Sequence, residues 1–309
     1  DTPLRNNKKK IDRMAFEATK REWSELYVFF RLLADGKVSL GTPQAKKEDE
    51  KYRPIAMIQR EEHDGTRRYY IEEEVIRMEG EKVEKSIPRE DFATVADLIL
   101  DALKNSSADE VTSGIKFATP TVNKINALPE SPTEVAERMM MIERLGGVLK
   151  YSDVADRVFR CNLLMIDLHF PRVLAEMVRM MHLDGITRVS ELTEQMKIIN
   201  PLKIKEELIS KHGFYEFKMK QFLLALALGM RPAKIYNGTD SAVEGILLVD
   251  GKGEVLCYHK SEKKTFEDFL YLNSRLEKGS VDKDKYGFLE RENGVYYFKL
   301  NVKIGLIKR

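Results

Sequence analysis

Tyr296-Tyr-Phe-Lys-Leu-Asn-Val-Lys-Ile-Gly-Leu306 alternates apolar and polar residues more cleanly than any other stretch of the chain. Tyr296, Phe298, Leu300, Val302, Ile304 and Leu306 share one phase, and Tyr297, Lys299, Asn301 and Lys303 share the other. A period of two is the mark of a strand with one buried and one wet face. Immediately upstream, Glu292-Asn293-Gly294 supplies a hairpin turn. Further upstream, residues 244–249 and 254–259 flank Asp250-Gly-Lys-Gly253, a second hairpin signal. Thr265 and Asp268 cap a helix that runs to about residue 277.

Working outward to the N-terminus, Phe16, Trp23, Tyr27, Phe30 and Leu33 recur at helical spacing, and Asp35-Gly36 supplies a left-handed stop, which predicts a helix over 11–34. Short strands are expected at 37–40, 54–59, 68–72 and 82–85, separated by turn pairs such as Asp64-Gly65 and Glu79-Gly80. Pro88 then opens a helix marked by Phe92, Val95, Ile99 and Leu103. Residues 105–114 (NSSADEVTSG) are small, polar and aperiodic and read as a linker.

From 131 to 212 the pattern is helical. Ser131-Pro-Thr-Glu134 is a capping box, and Gly146-Gly147 ends its helix. Further helices are expected over 171–182, 190–199, 202–210 and 215–228, with Asn200-Pro201 stopping one of them. Met139, Met140, Met141, Met177, Met180 and Met181 fall mostly on apolar faces and read as core. The expected fold is therefore α+β: a mixed helix-and-strand N-terminal unit over 1–114, a central helical region over 115–235 and a β-rich, mostly antiparallel region with one helix over 236–309.

At 309 residues and 43% hydrophobic content the chain can bury a large core without staples. Cys161 and Cys257 are far apart and lack neighbouring ligands at zinc spacing, which argues against disulfides and zinc and for a reducing, cytoplasmic setting. The longest apolar run, 222–230, is half of what crosses a bilayer. The net charge of +2 hides a polarity, because basic residues are in excess within 1–21 and 252–309 and acids in excess between them. That pattern suits a polyanion gripped by the ends, and it also fits lysines on solvated faces.

Most catalytic constellations are missing. Gly251 and Gly253 lack the third glycine and the strand-to-helix context of a dinucleotide site. His63, His169, His182, His212 and His259 are scattered. A metal-dependent nuclease needs carboxylates converging on the ion. Glu22 and Glu25, three residues apart on the opening helix near the boundary of its buried face, are the candidates for catalysis, and Glu25 for the metal. The alternative is a solvated helix face with ordinary ion pairs. Asp250-Gly-Lys252 matches a nuclease motif in letters only, since a hairpin turn puts its side chains at a tip. Candidate DNA contacts are His259 and Lys260 at a strand end, Lys283 and Lys285 in a loop, Lys299, Asn301 and Lys303 on one strand face, and Arg275. The same face could simply be solvated.

Several ordered segments together resemble the HpaII family of type II restriction endonucleases. They include Glu22-Trp-Ser-Glu-Leu-Tyr27, Leu32-Leu-Ala-Asp-Gly36, Gly114-Ile-Lys-Phe117, Asn123-Lys-Ile-Asn126, Asn162-Leu-Leu164 and Asn200-Pro201. The series continues with Lys220-Gln-Phe-Leu223, Leu228-Gly-Met-Arg-Pro232, Tyr236-Asn-Gly238 and Gly253-Glu-Val-Leu-Cys-Tyr-His259, and closes with Phe266-Glu-Asp-Phe-Leu270 and Lys299-Leu-Asn-Val-Lys-Ile304. The resemblance implies a Mg²⁺-dependent endonuclease cutting both strands of duplex DNA at a short CG-rich palindrome such as CCGG, with a homodimer suited to the two-fold target. It also implies an aspartate and a following lysine on adjacent strands between the helix ending near Lys104 and Ile115. Here only the short polar stretch stands there. The resemblance makes residues 1–114 a restriction-nuclease-like unit, and outright loss of its central strands would uncover Trp23, Phe30 and Leu33, which argues against such a loss. The alternative function is a catalytically inactive DNA-binding protein that retains the scaffold.

Overall fold

A computed structural model describes residues 18–62, 65–105, 110–111, 139–144, 147–153, 158–162, 170–229, 243–277, 289–292, 295–298 and 301–307. The chain begins with β1 (Ala18–Thr19), α1 (Lys20–Asp35), β2 (Lys37–Gly41), β3 (Lys47–Pro54), β4 (Met57–Glu62), β5 (Gly65–Ile71), β6 (Val75–Gly80), β7 (Val83–Pro88) and α2 (Arg89–Asn105). β8 (Glu110–Val111), β9 (Met139–Arg144), β10 (Gly147–Asp153) and β11 (Val158–Asn162) precede the helices α3 (Phe170–Asp184), α4 (Val189–Ile199), α5 (Glu206–Ser210) and α6 (Phe214–Leu228). The last part holds β12 (Gly245–Val249), β13 (Val255–His259), a 3-10 turn (Lys260–Glu262), α7 (Lys263–Asn273), β14 (Ser274–Glu277), β15 (Leu289–Glu292), β16 (Val295–Phe298) and β17 (Asn301–Leu306).

Ten strands form one mixed sheet in the order β3-β2-β13-β12-β10-β9-β4-β5-β6-β7. Its central seam is β12: alternate residues of β12 and β13 feed two separate cores. Ile246, Leu256 and Tyr258 pack with α3, α4, α6 and α7, while Leu247 and Cys257 pack with α1 and α2. A strand buried on both faces reads as a continuous apolar run, and Gly245-Ile-Leu-Leu-Val249 does so. At the sheet's two ends, β3 and β7 carry exposed charged residues, which discourage pairing with another chain.

The opening helix is less amphipathic than its spacing suggests. Trp23, Leu26, Tyr27, Val28, Phe29, Phe30, Leu32 and Leu33 are all buried, a pattern that fits a helix enclosed on nearly every side. Phe30 meets Phe92 of α2 at 6.1 Å between centroids, and Phe29 meets the edge of Tyr69 of β5 at 4.9 Å. Trp23, Phe30 and Leu33 are 0% exposed, so the core face of α1 is covered. Gly36 takes the expected left-handed stop with φ 65°.

Three other expectations need correction. The helix read over 131–147 gives way to strands: β9 and β10 form a hairpin with register Met140↔Tyr151, and 131–138 lie outside the described residues. Met139, Met140 and Met141 therefore sit on a strand, whereas Met177, Met180 and Met181 are buried on a helix as expected. β3 was not anticipated, because Lys-Glu-Asp-Glu-Lys-Tyr-Arg carries no apolar phase. An edge strand paired only with β2 needs none. The single strand expected over 296–306 is two strands in different sheets: β16 pairs with β15, and β17 lies between β11 and β14.

The linker reading of 105–114 falls partly outside the described residues, although β8 within it pairs with β1. The Asp250 turn forms as expected: its Oδ1 accepts from the backbone N–H of Lys252 (2.8 Å) and Glu254 (2.9 Å). Gly253 follows at φ 92°, where an added Cβ would stand 2.5 Å from Leu100 and 2.7 Å from the Tyr27 hydroxyl. Strands from all three expected regions share the ten-stranded sheet. Among the described residues, no helix is long and apolar enough to cross a membrane.

Candidate functional site

Glu25 lies inside α1 and not at the edge of its buried face, since it is 2% exposed. Burying a carboxylate is costly unless it is compensated, so this position is specified and not incidental. One turn further along, the Arg60 guanidinium stands 4.3 Å from the centre of the Phe29 ring. Arg60 on β4 is directly opposite Arg67 on β5, and they are 3% and 2% exposed. α1 thus shares its core with one carboxylate and two guanidinium groups. The side chain of Glu22 is outside the described residues. Among the described residues no group of three or more His, Cys, Asp and Glu is arranged to hold a metal ion.

A second polar cluster forms where β13 runs into α7. His259 is 4% exposed. Its Nδ1 accepts from the Ser261 backbone N–H at 3.1 Å and lies 2.7 Å from Ser261 Oγ, which places the ring proton on Nε2. Nε2 is 3.9 Å from Glu244. Arg53 of β3 donates through Nη2 to Ser261 Oγ (2.7 Å) and to both Glu262 oxygens (2.5 and 2.6 Å). Burial works against the Arg53 charge, but its bonds to Glu262 outweigh that penalty and raise its pKa. His259 therefore faces inward as a cap for the 3-10 turn, while Lys260 is exposed and ion-paired with Glu244 at 2.7 Å.

Of the remaining candidates, Arg275 on β14 donates to Glu277 at 2.9 Å. Asn301 and Lys303 share one phase of β17, although their side chains are not among those described. Lys283, Lys285 and Lys299 lie outside the described residues. Arg53, Arg60 and Arg67 were not singled out from sequence. A signal existed for two of them: Arg60 shares the inward phase of β4 with Ile58, and Arg67 that of β5 with Tyr69. A charge in the buried phase of a strand marks a site or a compensated pair.

The chain is a member of the HpaII restriction endonuclease family, whose model matches residues 19–117 and 110–306. It is similar to the Type II restriction enzyme HpaII of Haemophilus parainfluenzae, with 28% identity over 356 residues, covering 94% of this chain and 98% of that protein. No solved structure matches the chain.

Proposed function

We propose that the chain is a type II restriction endonuclease that hydrolyses both strands of duplex DNA at a short CG-rich palindrome of the CCGG kind, with Mg²⁺. The observation that carries this reading is the family match across residues 19–306, together with a relative named as a type II restriction enzyme that aligns over nearly its whole length. Glu25 is the proposed carboxylate on the metal side, with Glu22 one turn earlier on α1. A bound Mg²⁺ would neutralise phosphate charge and generate hydroxide. The described residues supply one buried carboxylate and not a full ligand set, so no step of the hydrolysis is routed through the ion. Lys260, Lys283, Lys285, Lys299, Asn301, Lys303, Arg275 and His259 remain the proposed DNA-side residues, and His259 acts through the turn it caps. A two-fold symmetric target suits a homodimer.

A second reading, an inactive DNA-binding scaffold, is favoured by one specific observation. The match to the relative runs over 356 residues, which exceeds the 309 of this chain, and the family model matches in two stretches that overlap at 110–117. The chain is therefore shorter internally than its relatives. Incubation of the purified chain with plasmid DNA, with and without Mg²⁺, separates the two. Discrete fragments that appear only with the ion support the nuclease; bound but intact plasmid overturns it in favour of the scaffold.

A further inference from the structure

The sheet β11-β17-β14 has two unlike faces, and strand register determines which residues share them. On one face Ile304 and Leu306 of β17 and Ser274 and Leu276 of β14 are buried, all but Ser274 within the helical core. The register Arg160↔Lys303↔Glu277 forms one row of the opposite face. Asn162↔Asn301 forms the next row. On the other side of Lys303, Val158↔Gly305↔Arg275 forms a third, which an isolated bridge extends from Arg275 to Arg188. Directly opposed residues on neighbouring strands lie on the same face.

Of the described side chains of this face, Arg188 is 54%, Arg275 32% and Glu277 22% exposed, and Arg188 is ion-paired with Glu191 at 3.7 Å. Gly305 leaves room for Glu277 to lie across the strand, because a Cβ there would stand 2.6 Å from the Glu277 carboxylate. That carboxylate is held by Arg275 at 2.9 Å. By register the face also carries Arg160, Lys303, Asn162, Asn301 and Val158. A sheet face rich in basic and amide residues and backed by an apolar core is complementary to a nucleic-acid duplex, where arginine can grip guanine through two parallel hydrogen bonds.

We propose that this face lies against duplex DNA and that Arg160, carried by a strand from the middle of the chain, reads a guanine of the target, with Asn162 and Lys303 gripping the backbone on either side. The inference rests on the nuclease reading for its ligand but not on cleavage. The test is therefore a binding selection in EDTA. Wild type and variants of the full chain are equilibrated with duplexes whose eight central base pairs are randomised, and the bound fraction is sequenced.

Arg160→Ala is expected to lose about tenfold of the preference for guanine at one position of each half-site. Arg160→Lys should keep non-specific affinity without restoring that preference. Lys303→Ala and Asn162→Ala should weaken all sequences alike, and Lys303→Ala should reduce the salt slope of binding by about 1. Thermal melts check that each variant folds. Unchanged base preferences in Arg160→Ala, full restoration by Lys, or no duplex binding by wild type each overturn the proposal. A wild type that binds selectively but leaves plasmid intact in Mg²⁺ overturns the nuclease reading alone.

Discussion

α1 and the β11-β17-β14 sheet use opposite solutions to the same problem of placing polar groups on an apolar framework. In α1 the polar group is enclosed: Glu25 is buried among residues that are themselves buried on almost every side. In the sheet the division is by face, with one phase in the core and the other outside. The enclosed arrangement ties any function of Glu25 to the integrity of the core around it. The divided arrangement lets surface residues change with little cost to folding.

The largest expected effect probes the enclosed side. Trp23→Ala should lower stability by about 3–5 kcal/mol in a denaturant titration, because a fully buried indole leaves a cavity. A loss under about 1 kcal/mol would mean that α1 is not held as described. Next, Glu25→Gln keeps the shape of the side chain and removes its charge. Cleavage is expected to fall on the order of 100-fold while the thermal midpoint changes little. A collapse in stability with unchanged activity per folded molecule would assign Glu25 to structure alone.

These two changes bear on how much could be read in advance. The β17 face was legible because alternation is a local signal and its apolar phase faces a real core. The enclosure of α1 was not, because Leu26, Val28, Phe29 and Leu32 are covered by elements distant in sequence. β9 and β10 were misread because capping residues and methionines suit a helix locally, while pairing with β4 and β12 decides for strands. β3 left no apolar trace at all. For the proposed site, Glu22 and Glu25 were singled out from their spacing, whereas the burial of Arg60 and Arg67 needed the phase of two strands to be compared.

A smaller effect tests the contact between α1 and the β12–β13 turn. Gly253→Ala combines a left-handed backbone with close approaches to Leu100 and Tyr27, and should destabilise by about 1–3 kcal/mol. An unchanged midpoint would show that the turn relaxes freely. The smallest expected change is Tyr27→Phe, which removes the 2.5 Å bond from its hydroxyl to the Gly253 carbonyl and should cost about 1 kcal/mol at neutral pH.

Burial pushes the Tyr27 hydroxyl up from 10.0 to about 12. A folded pKa raised in this way gives stability that is complete below the unfolded value of 10.0 and is lost as pH rises through about 12. Tyr27→Phe should therefore flatten the decline of stability across that alkaline window. Part of the slope should remain, since burial also pushes Tyr271 up to about 12. A slope identical to wild type would remove Tyr27 as its source.

The seam of the large sheet has a kinetic consequence. β2, β10, β12 and β13 meet there although they are far apart in sequence, and one face of β12 and β13 stays open until the distant α1 and α2 dock on it. Closing such long loops before any reward from pairing makes folding slow and leaves strand edges open meanwhile. A ribosome must release the chain through His259 before this sheet can close.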